Sequence, residues 1–392
     1  MLRESAEGGD VEQIFKFRFK AKNFLREENM EKRKIFRKLV WVVVCFTVFS
    51  ILLTACAGQA PTSEKPTSTQ SVSPTPSEKP SERTVKLGMA MVDLTNPFFV
   101  QMMEGGNIAA KEVNAEVIWK SSEGSVEKEV AIIENFVAQK VDCILIDPID
   151  TEAVKPAMEK AYKAGIPLVT MGNYVETPYG NVSTLYNDYE DYKTLTEILC
   201  YYLGGKGNIV HIFGKKGNYV SDERLKGFEA AVKEFTDIKV LAEAPGEWDP
   251  ALSQKIMEDW LTTYPDINGL AVWHDGVMYS AVTAIKNANR LKDITIVSYD
   301  GDPESSQMVK NGELIADLLT GAKRIGAWNV KVGAALARGA KLNAKVYLPS
   351  KFVITEETLK KVQANGFTKK IDWVTPDEAI DIANSAKVDW KY

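Results

Sequence analysis

The sequence is short of the residues that most often carry out chemistry. It holds two histidines, His211 and His274, which fall in different predicted strands. No Cys–His pairing and no Gly-x-Ser-x-Gly turn occurs, so nucleophilic catalysis lacks its usual parts. A Cys/His cluster with zinc spacing is missing, and so is an Asp-x-Asn-x-Asp calcium loop, so neither a metal nor another cofactor is expected. Asp147, Asp275 and Asp300 could be grouped as a carboxylate set for glycoside chemistry, but nothing in their spacing calls for it. The glycine-rich "LGGKGNI" at 203–209 follows a helix and leads into a strand, the wrong order for a phosphate cradle. The expectation is a protein that is not an enzyme.

Cysteine is scarce as well. There are four, and beyond Cys56 only Cys143 and Cys200 remain, both in apolar runs. They read as buried free thiols, without a disulfide framework. Positive charge is concentrated at the start. Without residues 1–55 the chain has 37 basic side chains against 46 acidic, a net charge of −9, which argues against nucleic acid as a partner.

That first segment has its own pattern. Met30–Lys38 is basic, 39–54 is almost wholly apolar, and Leu53-Thr54-Ala55-Cys56 follows. A basic region, an apolar region and small residues before a cleavage point make a secretory signal. With Cys56 directly after Leu-Thr-Ala, the site resembles the bacterial lipoprotein box, which implies acylation of Cys56 and attachment to the outer face of the cell membrane. The alternative is an uncleaved anchor, for which the apolar run is marginal in length. Residues 1–29 form a charged extension ahead of a complete signal, so translation is expected to start at Met30. Residues 57–82 are rich in Pro, Ser and Thr and hold too few apolar groups to offset ordering entropy, so 56–83 reads as a flexible spacer.

From Thr84 onward, strand-length apolar runs alternate with segments of helical period. Strands are predicted at 85–91, 116–119, 143–146, 168–171 and 182–186, then at 208–213, 240–244, 269–273, 295–299 and 315–319. Helices are predicted at 99–112, 126–139, 151–164, 188–203, 222–235, 250–263 and 277–288. Near-continuous apolar strands between helices imply parallel sheets covered on both faces, here as two similar α/β units in one chain. Two short amphipathic helical patterns, 356–363 and 377–385, close the chain.

Ligands of open α/β sheets bind outside the carboxyl ends of the strands. Those ends carry Asp93-Leu94-Thr95-Asn96-Pro97-Phe98-Phe99, Asp147, Gly172-Asn173-Tyr174, Trp248-Asp249, Trp273-His274-Asp275, Asp300-Gly301 and Thr320. Aromatic faces mixed with carboxylates and amides suit a polyhydroxylated solute. Phe98 and Phe99 are adjacent in a helix and point about 100° apart, so one ring can face a cleft while the other packs in the core. Trp119 and Trp273 read more simply as core residues at strand ends.

The segments "TNPFF", "ILIDP", "SDERLKGFEAA", "WHDGVMYSAVTAI", "VSYDGDPES" and "KNGELIADL" occur in this order, and together they resemble type I periplasmic binding proteins of the ribose-binding branch. The resemblance covers roughly 84–355. It implies two doubly wound parallel-sheet lobes joined by three hinge strands, 84–186 plus 321–349 forming one lobe and 187–320 plus 350–392 the other lobe and tail. It also implies a sugar ligand, closure of the lobes around it, and delivery by a monomer to an ABC permease and its ATPase. A sensory role towards a membrane receptor is the alternative.

By the same resemblance Asn96 is a hydrogen-bonding position, and Phe98 and Phe99 are ring contacts, with Phe99 favoured against the sugar face. Arg224 is a hydroxyl-binding arginine, Trp248 a second aromatic platform, and Asp300 a ligand aspartate whose alternative role is a helix cap. The chain departs from the family pattern at five ligand positions. Asp147 and His274 replace asparagines, Gly172-Asn173 replaces an Asp-Arg pair, and Thr320 replaces a glutamine. These changes argue against ribose itself, because a mispaired buried polar group costs about 1–3 kcal/mol.

Overall fold

The structure, a computed structural model, describes residues 83–388. The signal, Cys56 and nearly all of the spacer lie outside the described residues. Two sheets organise the chain. The first has strand order β11-β5-β4-β3-β1-β2, with β1 Val85–Met91, β2 Ala115–Ser121, β3 Cys143–Ile146, β4 Leu168–Met171, β5 Val182–Leu185 and β11 Lys345–Tyr347, all parallel. The second has order β13-β12-β10-β9-β8-β6-β7. Its strands are β6 Lys206–Phe213, β7 Asp237–Pro245, β8 Gly269–Val272, β9 Thr295–Val297, β10 Ala316–Leu319, β12 Lys351–Ile354 and β13 Trp373–Val374.

The first sheet shows why its strands are apolar at nearly every position. Successive residues of a strand face opposite sides. Leu87, Met89, Cys143, Leu145 and Val169 join a core shared with helices α1 (Pro97–Glu112) and α9 (Ala322–Ala337). Ala90, Ile144, Ile146 and Leu168 join another, shared with α2 (Val126–Gln139) and α3 (Lys155–Lys163). The second sheet has one large core that takes in residues of α4 (Asp188–Tyr202), α5 (Tyr219–Val232), α6 (Pro250–Thr263), α7 (Asp275–Asn287) and α8 (Pro303–Lys310).

The chain passes between the sheets three times: after β5 at residues 186–187, after β10 at 320–321, and between β11 and β12 at 348–350. This is the doubly wound two-lobe fold with a three-strand hinge. One detail departs from a purely parallel reading. β12 runs antiparallel to β10, with β13 parallel to it at the sheet edge. The third crossing explains this: β12 enters the second sheet from the cleft side, whereas β6 to β10 run towards the cleft. The remaining helices, α10 (Glu356–Ala364) and α11 (Pro376–Asn384), pack on α4 and α8 respectively, and beyond them Ala386 and Val388 pack against the core that α1 and α9 share.

Some element boundaries differ from expectation. Helix α5 begins at Tyr219 rather than 222, because the Asn218 side chain accepts the Ser221 backbone N–H and so caps the helix a turn earlier. Helix α3 begins at Lys155, four residues later than expected, after a run of turns.

Helices α1 and α9 approach so closely that only glycine fits at their contact. A Cβ on Gly326 would lie 1.8 Å from the Met102 carbonyl oxygen, and one on Gly105 would lie 2.0 Å from that of Lys323. Among the described residues, no helix is long and apolar enough to cross a membrane.

Candidate functional site

The carboxyl ends of both sheets face a common cavity of about 380 Å³. All ten residues expected to contact a ligand line it: Asn96, Phe98, Phe99, Asp147, Asn173, Arg224, Trp248, His274, Asp300 and Thr320. The first lobe places its group through turns that follow parallel strands. After β1 the chain reaches Asn96, whose side-chain oxygen accepts the Phe98 N–H at 2.9 Å and caps α1, with Pro97 in the first helical position. That cap occupies the amide oxygen and aligns the two phenylalanines. Their rings meet edge to face, 5.5 Å apart; Phe99 is also part of the core, while Phe98 is the more exposed.

Asp147 follows β3 and accepts a hydrogen bond from Asn173 Nδ2 at 2.9 Å. The oxygen of the same Asn173 amide accepts the Val220 backbone N–H of the other lobe at 3.3 Å. Tyr174 and Tyr219 also meet across the lobes, their ring centres 6.0 Å apart. The lobes are therefore closed on one another at this side of the cavity. Burial pushes the Asp147 carboxyl up to about 7, against the lowering effect of Asn173.

In the second lobe the organising residue is Arg224, 4% exposed. Its Nε donates to Asp188 Oδ1 at 2.9 Å, its Nη1 donates to the Trp273 carbonyl oxygen at 2.6 Å, and its guanidinium lies 3.4 Å from the centre of the Tyr299 ring. Burial opposes its charge, but Asp188, Tyr299 and Asp300 more than offset this, so it stays protonated. Burial raises Asp188 to about 6 even with this partner.

Asp300 adopts φ +124°, a conformation that L side chains rarely take. It is held there by its own N–H to the Leu318 carbonyl and by its carbonyl, which accepts from Thr320 and Gly321. The next residue is bound to be glycine, since a Cβ at Gly301 would lie 2.4 Å from Leu319 Cα. Strain of this kind, about 1–3 kcal/mol, accumulates at functional positions. The alternative role of Asp300 as a helix cap does not hold, because Asp302 occupies the cap of α8. The Asp300 carboxyl stands 3.8 Å from both Arg224 Nη1 and His274 Nδ1. Burial lifts it well above the usual carboxylate range, Arg224 pulling the other way.

His274 Nδ1 accepts the Gly276 N–H at 2.9 Å and caps α7. An accepting Nδ1 makes the ring neutral, and burial followed by the nearby Arg224 keeps its pKa down at about 3. Its Nε2 is buried without a partner. His211 is a core residue, stacked on Phe228 at 3.9 Å between Tyr192 and Glu243. Asp275 is likewise structural. It accepts from Ser298, the Asp302 N–H and Ser305, while Ser305 Oγ also touches Asp317. A hydroxyl has one proton to give, so one of those two carboxyls carries its own. The grouping of Asp147, Asp275 and Asp300 is therefore not brought together at the cavity, because Asp275 is not among its lining residues.

Sequence reasoning missed several lining residues: Tyr186 at the first crossing, Asn218, Tyr279 and Asp302. Tyr279 lies one turn into α7 from His274, and Asp302 is two residues past Asp300, so both had a signal in their spacing. Trp273, read as core, is 3% exposed and lines the cavity as well, with Trp248 edge-on to it at 5.5 Å. Trp119 is not a lining residue.

A family model described as a periplasmic binding protein domain matches residues 87–341. The chain belongs to this family. Within it the chain is of the type I, ribose-binding-like kind. It is 30% identical over 260 residues to a xylitol-binding protein of Mycolicibacterium smegmatis, covering 65% of this chain and 73% of the relative. It is 27% identical to the ribose import binding protein of Salmonella typhimurium, over 69% of this chain and 90% of that one. Among solved structures, an ABC transporter solute binding protein of Actinobacillus succinogenes with bound D-allose matches with a TM-score of 0.67 and 26% identity. That match covers 71% of this chain and 100% of the other.

Proposed function

We propose that this periplasmic binding protein captures one small polyhydroxylated solute, a sugar or related polyol, between its lobes and hands it to an ABC permease. The observation that carries the reading is the cavity. It draws aromatic and polar side chains from both sheets, so a guest that touches all of them favours the closed arrangement. Its volume of about 380 Å³ is at the lower end of the roughly 300–1,000 Å³ of small-molecule pockets. This suits a monosaccharide or a very short oligosaccharide rather than a long chain. The relatives named for xylitol and ribose and the structure holding D-allose support the same solute class. Attachment of the protein to the outer face of the cell membrane through an acylated Cys56, with 56–83 as tether, completes the proposal.

A thermal-shift series with pentitols, pentoses, hexoses, their derivatives and short oligosaccharides tests it. One member of the series raises the unfolding midpoint as its concentration exceeds Kd, and it is recovered chemically unchanged. A modified product, or no shift across all of these solutes, would count against the reading.

A further inference from the structure

We propose that the solute this cavity selects carries a positively charged nitrogen, as in an amino sugar, an amino cyclitol or another small aminated polyol. The inference rests on the function proposed above and narrows its solute class.

Charge in the cavity is unbalanced towards the negative. Arg224 is the one lysine or arginine among the lining residues, and Asp188 behind the cavity wall already matches its charge at 2.9 Å. Three carboxyl groups, Asp147, Asp300 and Asp302, line the same cavity. Among the described residues no lysine, arginine or histidine nitrogen lies within 4 Å of Asp147 or Asp302. Asp300 has only the 3.8 Å approaches of Arg224, whose charge is spent, and of His274, which is neutral. The resemblance sharpens the point, because Asp147 replaces an asparagine and Asn173 replaces the arginine of an Asp-Arg pair.

Such a cavity needs a counter-charge. A carboxylate taken out of water without a counter-charge is costly, and it recovers by binding a proton or a cation. Burial raises Asp147 and Asp302 each to about 7, so the acids hold protons for much of the time when the cavity has no cation. A hydroxyl guest would meet their hydrogen-bonding needs but leave any charge uncompensated. An ammonium has three donors and a full positive charge. The groups also share one neighbourhood. Tyr186, a half-buried lining residue at the first crossing, lies within electrostatic reach of Asp147, Asp188 and Asp300. Phe98, Trp248 and Tyr279 also line the cavity, and aromatic rings attract cations.

Isothermal titration of the full chain with matched pairs tests this: D-glucosamine against D-glucose, D-galactosamine against D-galactose, and 1-amino-1-deoxysorbitol against sorbitol. Near neutral pH at least one amine is expected to bind more tightly than its hydroxyl parent by about tenfold or more. Its apparent enthalpy should vary with the ionisation enthalpy of the buffer, because the cation drives protons off the acids. Asp147→Asn should narrow the preference, read as the ratio of the two dissociation constants in one pair, to within about threefold. Parents that bind as tightly as their amines in every pair that binds overturn the inference and leave the broader proposal standing. If none of the pairs binds while another solute of the thermal-shift series does, the inference falls alone, and if no solute in the pairs or that series binds, both fall.

Discussion

Arg224→Met is expected to lower the free energy of unfolding by about 3–5 kcal/mol, the usual cost of removing one partner of a buried ion pair. The arginine is 4% exposed and Asp188 only 2%, so the variant leaves a carboxylate in a dry environment. It also removes the donor to the Trp273 carbonyl and the group lying on Tyr299. The deficit has a pH signature. Asp188 already titrates at about 6 with its partner present, and without it the folded-state value rises further. A carboxyl whose pKa is higher folded than unfolded destabilises as pH increases, so the loss shrinks on going from alkaline to mildly acidic buffer. Adding Asp188→Asn removes the orphaned charge and should return much of the stability. Urea denaturation of the two single variants and the double variant measures this. A loss below about 1 kcal/mol for Arg224→Met would mean that the pair is not the buried anchor described.

The second large effect concerns the two helices that frame the first-lobe side of the cavity. Gly326→Ala is expected to cost about 3 kcal/mol, at the upper end of overpacking. Its Cβ meets a backbone oxygen, Met102 O, at 1.8 Å, and a backbone atom cannot rotate aside as a side chain can. Helix α1 must move away from α9, carrying Phe98, Phe99 and Met102 with it. The same substitution should therefore weaken solute binding as well as stability. An unfolding midpoint and affinity equal to those of the unaltered protein would refute the close crossing of α1 and α9.

Much of the fold was legible because the strands are buried on both faces. Runs such as Cys143–Ile146 and Leu168–Met171 are apolar at nearly every residue, and each is flanked by helices of clear period. Helix α9 was not picked out for the opposite reason. It is buried on nearly all sides, so it has no polar stripe to set against an apolar one. The antiparallel β12 depends on where the chain re-enters the second sheet, which no local pattern encodes.

The candidate site was legible to the extent that strand ends announce it. Asn96, Asp147, His274 and Asp300 each directly follow or closely trail a predicted strand. Its electrostatics were not, because they depend on partners distant in sequence. Asp188 and Arg224 are separated by 36 positions, and Asn173 reaches Val220 across 47. The positive φ of Asp300 is likewise invisible until the Leu318–Gly321 backbone closes around it.

The account stands on a single guest gripped by both lobes at once. The dissociation constant of one bound solute, measured on the unaltered protein, on Phe99→Ala and on Asp300→Gly, tests this directly. Phe99 belongs to the first lobe and Asp300 to the second, and glycine at 300 relieves the strained φ, so that variant should fold. Each substitution is expected to weaken binding by more than about tenfold, the loss of one buried ring face or of one buried hydrogen-bonding carboxyl. Full affinity in either variant would contradict a guest held between the two lobes.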